Sequence, residues 1–165
     1  MVIRFLIMVL VIAANVPARA EPLLQRPVLR TYQPVRVALL DFAAAGVSEA
    51  EAAHEISQIV ASDLKQSSAF ALIDKTAFAE KNASIDETPG FADWRVINAQ
   101  RLVVGRVTGR PDGRIKVEFR LWDAFRGEQI SGWQYTGAAD DLSRIGHMIS
   151  KDIYEHIIGE KRIFD

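Results

Sequence analysis

The sequence predicts a mixed α/β (α+β) domain, a mixed five-stranded sheet with two main helices packed on one side, in the order β-α-β-(short α)-β-β-β-α. Three observations carry this expectation. Short β-branched runs recur from Val35, Phe70, Arg101, Arg114 and Gln129. Two segments, opening near Ser48 and near Asp140, repeat apolar residues every three or four positions, as a half-buried helix does. The last three β-like runs are joined by turn-forming residues, which makes them a meander.

The chain opens on a different composition. Arg4 supplies a positive start, Phe5 to Ala14 form an unbroken apolar stretch, and Asn15 to Ala20 end in small residues at Ala18 and Ala20, the three-part pattern of a cleaved export signal. A membrane span needs about 20 apolar residues, and this stretch is half that, so residues 1–20 read as a signal peptide cut after Ala20. Arg4 and Arg19 leave with it, so the mature chain carries 18 basic against 21 acidic groups. With no basic block there is no charge to neutralise phosphates or anionic lipid, which excludes nucleic-acid binding and a polybasic membrane patch. The absence of cysteine removes disulfides, thiolate metal sites and an amino-terminal lipid anchor.

The elements follow in order. Residues 21–34 carry prolines at 22, 27 and 34, which remove donors and fix dihedrals, so an extended amino-terminal arm is expected. The folded body is expected over 35–160. Val35 to Phe42 reads as a buried strand, Ala43 to Val47 as a turn, and Ser48 with Glu51 as a capping box opening a helix. That helix places Ala52, Ile56, Ile59, Val60, Leu64 and Ser67 on one face. Phe70 to Asp74 is a strand, Thr76 to Lys81 a short helix, Asn82 to Phe91 a loop, and a helical pattern runs from Asp93 to near Gln100.

Arg101 to Thr108 is the next strand, and Pro111, Asp112 and Gly113 form a turn. Arg114 to Asp123 alternates strictly, with Ile115, Val117, Phe119 and Leu121 inward. Gly127 marks a second turn before the strand Gln129 to Thr136. Asp140 or Asp141 is expected to cap a final helix whose Leu142, Ile145, Ile149, Ile153 and Ile157 recur until Gly159 stops it.

A search for chemistry returns little. His147 and His156 are nine residues apart and project from opposite sides of a helix with 3.6 residues per turn. His54 stands beside Glu51 and Glu55, a surface grouping rather than a metal site. The glycines at 105, 109 and 113 lie between strands, so they serve turns and close backbone approach rather than a phosphate loop, which needs a helix to follow. Asp41, Asp74 and Asp123 each end a predicted strand. A carboxylate pair of the glycosidase type is one reading, but an aspartate accepting hydrogen bonds from the following turn is the better one. Trp94, Trp122, Trp133 and Tyr135 read as core and sheet-edge packing. The expectation is therefore no catalytic residue, no metal and no cofactor.

The groups Asp93-Trp94-Arg95, Asn98-Ala99-Gln100 and Pro111-Asp112-Gly113-Arg114, with the strand VALLDF and the helix EISQIVASDLKQSSAFALID, resemble the amino-terminal domain of the TolB family over roughly residues 35–165. The resemblance implies a non-enzymatic periplasmic protein of the Tol-Pal envelope system, which supports outer-membrane integrity and cell division. It implies a TolA-like inner-membrane partner bound by the arm. Leu23, Leu24, Val28 and Leu29 are the arm's candidate partner-binding residues, and an arm that is a linker or packs on its own sheet is the other reading. In the family a β-propeller follows and binds the lipoprotein Pal. Residues 161–165 read as the start of a linker to it, and a Pal-like partner is expected only if a propeller follows. The family often has proline just before the Asp-Phe pair, where this chain has Leu40. Two other readings stand beside this one, a stand-alone periplasmic adaptor without a propeller and a small periplasmic hydrolase using His54 or an aspartate pair.

Overall fold

The computed structural model describes residues 33–81 and 83–159. The signal segment, the arm up to residue 32 with Leu23, Leu24, Val28 and Leu29, and the residues after Gly159 lie outside the described residues. The strands are β1 (Val35–Leu39), β2 (Ala43–Ala44), β3 (Phe70–Leu72), β4 (Arg101–Gly109), β5 (Ile115–Asp123) and β6 (Glu128–Gly137). The helices are α1 (Ala50–Gln66), α2 (Phe91–Val96) and α3 (Leu142–Ile158). The sheet runs β3-β1-β4-β5-β6, with the two-residue β2 pairing β4 off that path. β1 pairs in parallel with β3 and β4, whereas β4-β5 and β5-β6 are antiparallel. The mixed sheet is as expected, with one short strand added.

α1 and α3 cover one face. Ile56, Val60 and Leu64 of α1 and Ile145, Ile149 and Ile153 of α3 pack with Val37, Leu39, Val103, Val107, Val117, Phe119 and Leu121 of the sheet. The inward set read from alternation in β5, Ile115, Val117, Phe119 and Leu121, lies in this core. A second, smaller core fills the opposite face. There α2 and the loop after β3 set Trp94, Phe78, Ile85 and Ala99 on Ala38, Leu40, Leu102 and Val104. Phe78 and Trp94 meet edge to face, with ring centroids 5.1 Å apart, the arrangement the ring quadrupoles favour.

The bend after β1 has a specific cause. Leu40 and Asp41 leave the strand, and the buried Phe42 turns its ring over Gly105 of β4. A Cβ at 105 would stand 2.2 Å from the Phe42 ring, so the close approach predicted for this glycine is real. The backbone N–H of Phe42 donates to Ser57 Oγ on α1 at 2.8 Å, and Ser57 Oγ donates to the Ala53 carbonyl at 2.7 Å. A serine on the apolar face of α1 thus satisfies a donor that burial would otherwise strand. At the other end of the fold, Gly159 closes α3 with φ of 68°, a left-handed conformation that costs glycine nothing.

Several boundaries differ from expectation. The strand predicted to Phe42 ends at Leu39 because the Phe42 ring must reach β4, and Ala43–Ala44 pair β4 instead of turning freely. Ser48 does not cap α1. A 3-10 turn at Val47–Glu49 precedes the helix, and no side chain caps it. The predicted helix at Thr76 to Lys81 is a 3-10 turn at Lys75–Ala77, because Phe78 leaves helical geometry to enter the second core. The helical segment starts at Phe91 and ends at Val96, where Asn98 takes φ of 57°. Asp141 stands at the start of α3, but its carboxylate accepts from Ala138 N–H outside the helix.

The Phe42 contacts set two stability expectations. Gly105→Ala should lower unfolding free energy by about 1–3 kcal/mol through overpacking against the ring. Ser57→Ala, which leaves the Phe42 N–H without its partner, should cost about 1–3 kcal/mol. Urea denaturation followed by circular dichroism measures both, and an unchanged midpoint in either would show that the contact carries no weight.

Candidate functional site

The topology brings some of the candidate residues together and separates others. β1 and β3 run side by side in the same direction, and their connections leave toward opposite faces, α1 on one and the second-core loop on the other. A crevice outside the carboxyl ends of such a strand pair is the usual ligand position in open α/β sheets. Here a groove of about 740 Å³ lies at that point, with Asp41, Asp74 and Lys75 at the strand ends and His54, Gln58 and Lys65 along α1. Asp123 is not there. It ends the antiparallel β5 and sits beside Arg101 at the start of β4, the other end of the sheet.

Each candidate group in the groove has a structural partner. Lys75 pairs with Asp41. Asp74 accepts from Thr76 N–H at 2.8 Å and from its hydroxyl at 2.7 Å, and these bonds hold its carboxyl below the usual range. The Nε2 of His54 accepts from the Gln58 amide at 2.7 Å. Ser57, which also lines the groove, is buried and bonded to Phe42 and Ala53. A nucleophile needs a base within hydrogen-bond reach and a third group to orient that base, and none of these side chains stands in that relation to another. The turn-bonding reading of Asp123 also holds, since it accepts from Phe125 N–H at 3.0 Å and Arg126 N–H at 2.9 Å.

The other histidines serve helices. His147 donates from Nδ1 to Asp63 at 2.7 Å, tying α3 to α1, and His156 donates to the Asp152 carbonyl one turn back. Among the described residues, no group of three His, Asp or Glu side chains is gathered so as to hold a metal ion. Among the same residues no helix is long and apolar enough to cross a membrane. Trp94 and Trp122 are buried, and Tyr135 donates to Asp152 of α3, where burial and that carboxylate push its phenol far up. Trp133 lies on the edge strand β6, where it is 55% exposed.

The motif groups singled out in the sequence hold the scaffold. Trp94 fills the second core, and Arg95 Nε donates to the Ala124 carbonyl at 2.9 Å. Gln100 accepts Arg36 N–H at 2.8 Å, while the Arg36 guanidinium donates to the Ile97 and Asn98 carbonyls, both at 3.1 Å, and so ties β1 to the end of α2. Asp112 accepts from Arg114 N–H at 3.1 Å and from its guanidinium at 2.7 Å, which closes the β4-β5 turn.

One cluster went unread. Beyond the second core the sheet face carries Arg106, Lys116 and Glu118, with Asp86 reaching over from the loop. Glu118 is 7% exposed. It accepts from Lys116 at 2.9 Å and Arg106 at 3.1 Å. Burial alone would raise its carboxyl, but these two cations hold it below its ordinary value. A signal was available, because a tight turn at Pro111–Gly113 sets Arg106 directly opposite Glu118.

Comparison with known proteins agrees with this scaffold. Residues 30–130 match the TolB amino-terminal domain family. The fold superposes on TolB from Acinetobacter baumannii with a TM-score of 0.64 and 24% identity, over 77% of this chain and 29% of that one. The matched chain therefore spans under a third of that TolB's length. CT253 from Chlamydia trachomatis matches at TM-score 0.53 and 15% identity, over 78% of this chain and 100% of that one. Lipoprotein GNA1162 from Neisseria meningitidis matches at TM-score 0.50 and 11% identity, over 78% and 99%.

The Glu118 cluster predicts a pH signature. Because the folded-state carboxyl lies below its unfolded value, its stabilisation is present above the unfolded pKa and is lost as pH falls through the folded one. Glu118→Gln should therefore be less stable than the wild type by about 1–3 kcal/mol at pH 7, with the gap closing as pH drops below about 4. Urea titrations from pH 7 to pH 3 test this, and a gap that stays constant with pH would remove the charge from the explanation.

Proposed function

The chain belongs to the TolB amino-terminal domain family, and from that premise we propose that it is an exported, non-catalytic interaction domain of the Tol-Pal envelope system, working in the periplasm in support of outer-membrane integrity and cell division. The observation that carries this reading is the family match over residues 30–130. The contacts of Asp41, His54 and Asp74 are consistent with it, since each is engaged by a neighbouring side chain or turn rather than by another member of a reactive set. A domain of this kind acts through its surfaces, and the reading places its action in contacts with envelope proteins.

The arm is the proposed contact. Glu21 to Pro34 is extended by composition, with three prolines that lower the entropy lost on binding. Added to the edge of a partner sheet, such a segment gains affinity from main-chain pairing and selectivity from alternate side chains. Leu23, Leu24, Val28 and Leu29 are proposed to be those side chains, and a TolA-like inner-membrane protein the partner. A signal cut after Ala20 would leave the arm free at its amino end. A Pal-like lipoprotein enters the reading only where a propeller follows this domain.

Deleting residues 21–31 should weaken binding to the carboxy-terminal domain of TolA by at least about tenfold, with the melting temperature of the folded body unchanged. Isothermal titration calorimetry reads the first and circular dichroism the second. Equal affinity with and without the arm would rule it out as the contact, and cytoplasmic retention of the expressed protein would rule out the exported domain altogether.

A further inference from the structure

β3 stands at one edge of the sheet with β1 as its neighbour, and its other side meets no strand among the described residues. The hydrogen bonds to β1 fix which main-chain groups face outward. Ile73 N–H donates to the Val37 carbonyl at 2.9 Å, and the Ala69 carbonyl accepts from Val35 N–H at 2.8 Å. In a parallel pair a residue directs both its N–H and its C=O to the same side, and successive residues alternate. Leu72 therefore points its N–H and C=O away from β1, and the Phe70 carbonyl and Asp74 N–H point the same way. Among the described residues these donors and acceptors meet no strand, and such a row is what an added strand needs.

The groove of about 740 Å³ reaches the carboxyl end of this edge, at Leu72 and the Ile73, Asp74 and Lys75 that follow it. Ala61 and Ser62 of α1 leave room beside the half-buried Leu72 and Ile73. The charges at its rim are balanced within the chain. Lys75 holds Asp41, and Asp74 is bonded to Thr76 with Lys65 close enough to stabilise its charge. A further charged side chain entering here would lose water without gaining an unpaired opposite charge.

We propose that the β3 edge and the α1 groove form a docking site for an extended, uncharged segment of another polypeptide, which pairs its main chain with Leu72 and lays alternate small or β-branched side chains between α1 and β3. Main-chain pairing supplies affinity and the groove selects side chains. The site lies wholly on the folded body, so failure of the arm-deletion experiment would leave it standing, and its own failure would leave the arm reading standing.

A suitable probe is a fluorescein-labelled synthetic peptide of residues 129–137, QISGWQYTG, an uncharged strand sequence, titrated into the mature chain. Saturable anisotropy with an affinity of about 0.1 mM or tighter is expected, together with amide shift changes centred on Leu72 and Asp74. An analogue with alternate peptide nitrogens methylated, and one with aspartate in place of its isoleucine, should each bind at least about tenfold more weakly. Ser62→Arg, a change at an exposed helix position, should do the same to the wild-type peptide. No saturation at 1 mM, shift changes away from Leu72, or undiminished binding by the Ser62→Arg chain would overturn the proposal. So would peptide-free self-association mapped to Leu72, because a second copy would then be the occupant.

Discussion

Burial of β1 and β4 on both faces is the constraint from which the rest of the structure follows. Val37 and Leu39 of β1 face the helices, while Ala38 and Leu40 face away, and β4 repeats the arrangement with Val103 and Val107 against Leu102 and Val104. Parallel strands that are apolar on both sides cannot leave either side to water. α1 and α3 close one face. The other is closed by a short helix and a loop, because the crossover from β3 to β4 must pass over β1 and can carry Phe78, Ile85 and Trp94 with it.

Where that second layer ends, the sheet changes character. Beyond Val104 the outward positions are Arg106, Lys116 and Glu118, and the buried carboxylate is held by two cations. Removing one member of such a set leaves the others desolvated without compensation, so the cluster behaves as a unit. It marks the line at which hydrophobic cover gives way to ion pairing, and Asp86 at the end of the covering loop joins it to the second layer.

The polar groups that invite a catalytic reading are occupied by the needs of the scaffold. Ser57 satisfies the Phe42 N–H, Asp74 and Asp123 bond the turns that follow them, and His147 ties α3 to α1. The family-typical groups have the same character, with Trp94 filling the second core and Gln100 and Arg36 locking β1 to the end of α2.

Much of this was legible in the sequence because it depends on short-range periodicity. The α3 face and the inward set of β5 follow from spacing, the β4-β5 turn and the stop at Gly159 from turn and cap residue types, and the family resemblance from the identity of local residue groups; the α1 face was legible only in part, since Ala53 and Ser57 are buried and Ser67 lies past the helix. Tertiary structure decided the rest. β1 ends at Leu39 because the Phe42 ring must find Gly105, more than sixty positions away, and Thr76 to Lys81 gives up a helix because Phe78 is drawn into a core built by β1 and β4. The groove is of the same kind: Asp41, His54 and Asp74 meet because two parallel strands end together, while Asp123, alike in its local sequence setting, is carried to the far end by an antiparallel neighbour. Local pattern records how a segment divides its sides between water and core, but which distant residue fills that core, and which strand ends coincide, is set by chain direction in the assembled sheet.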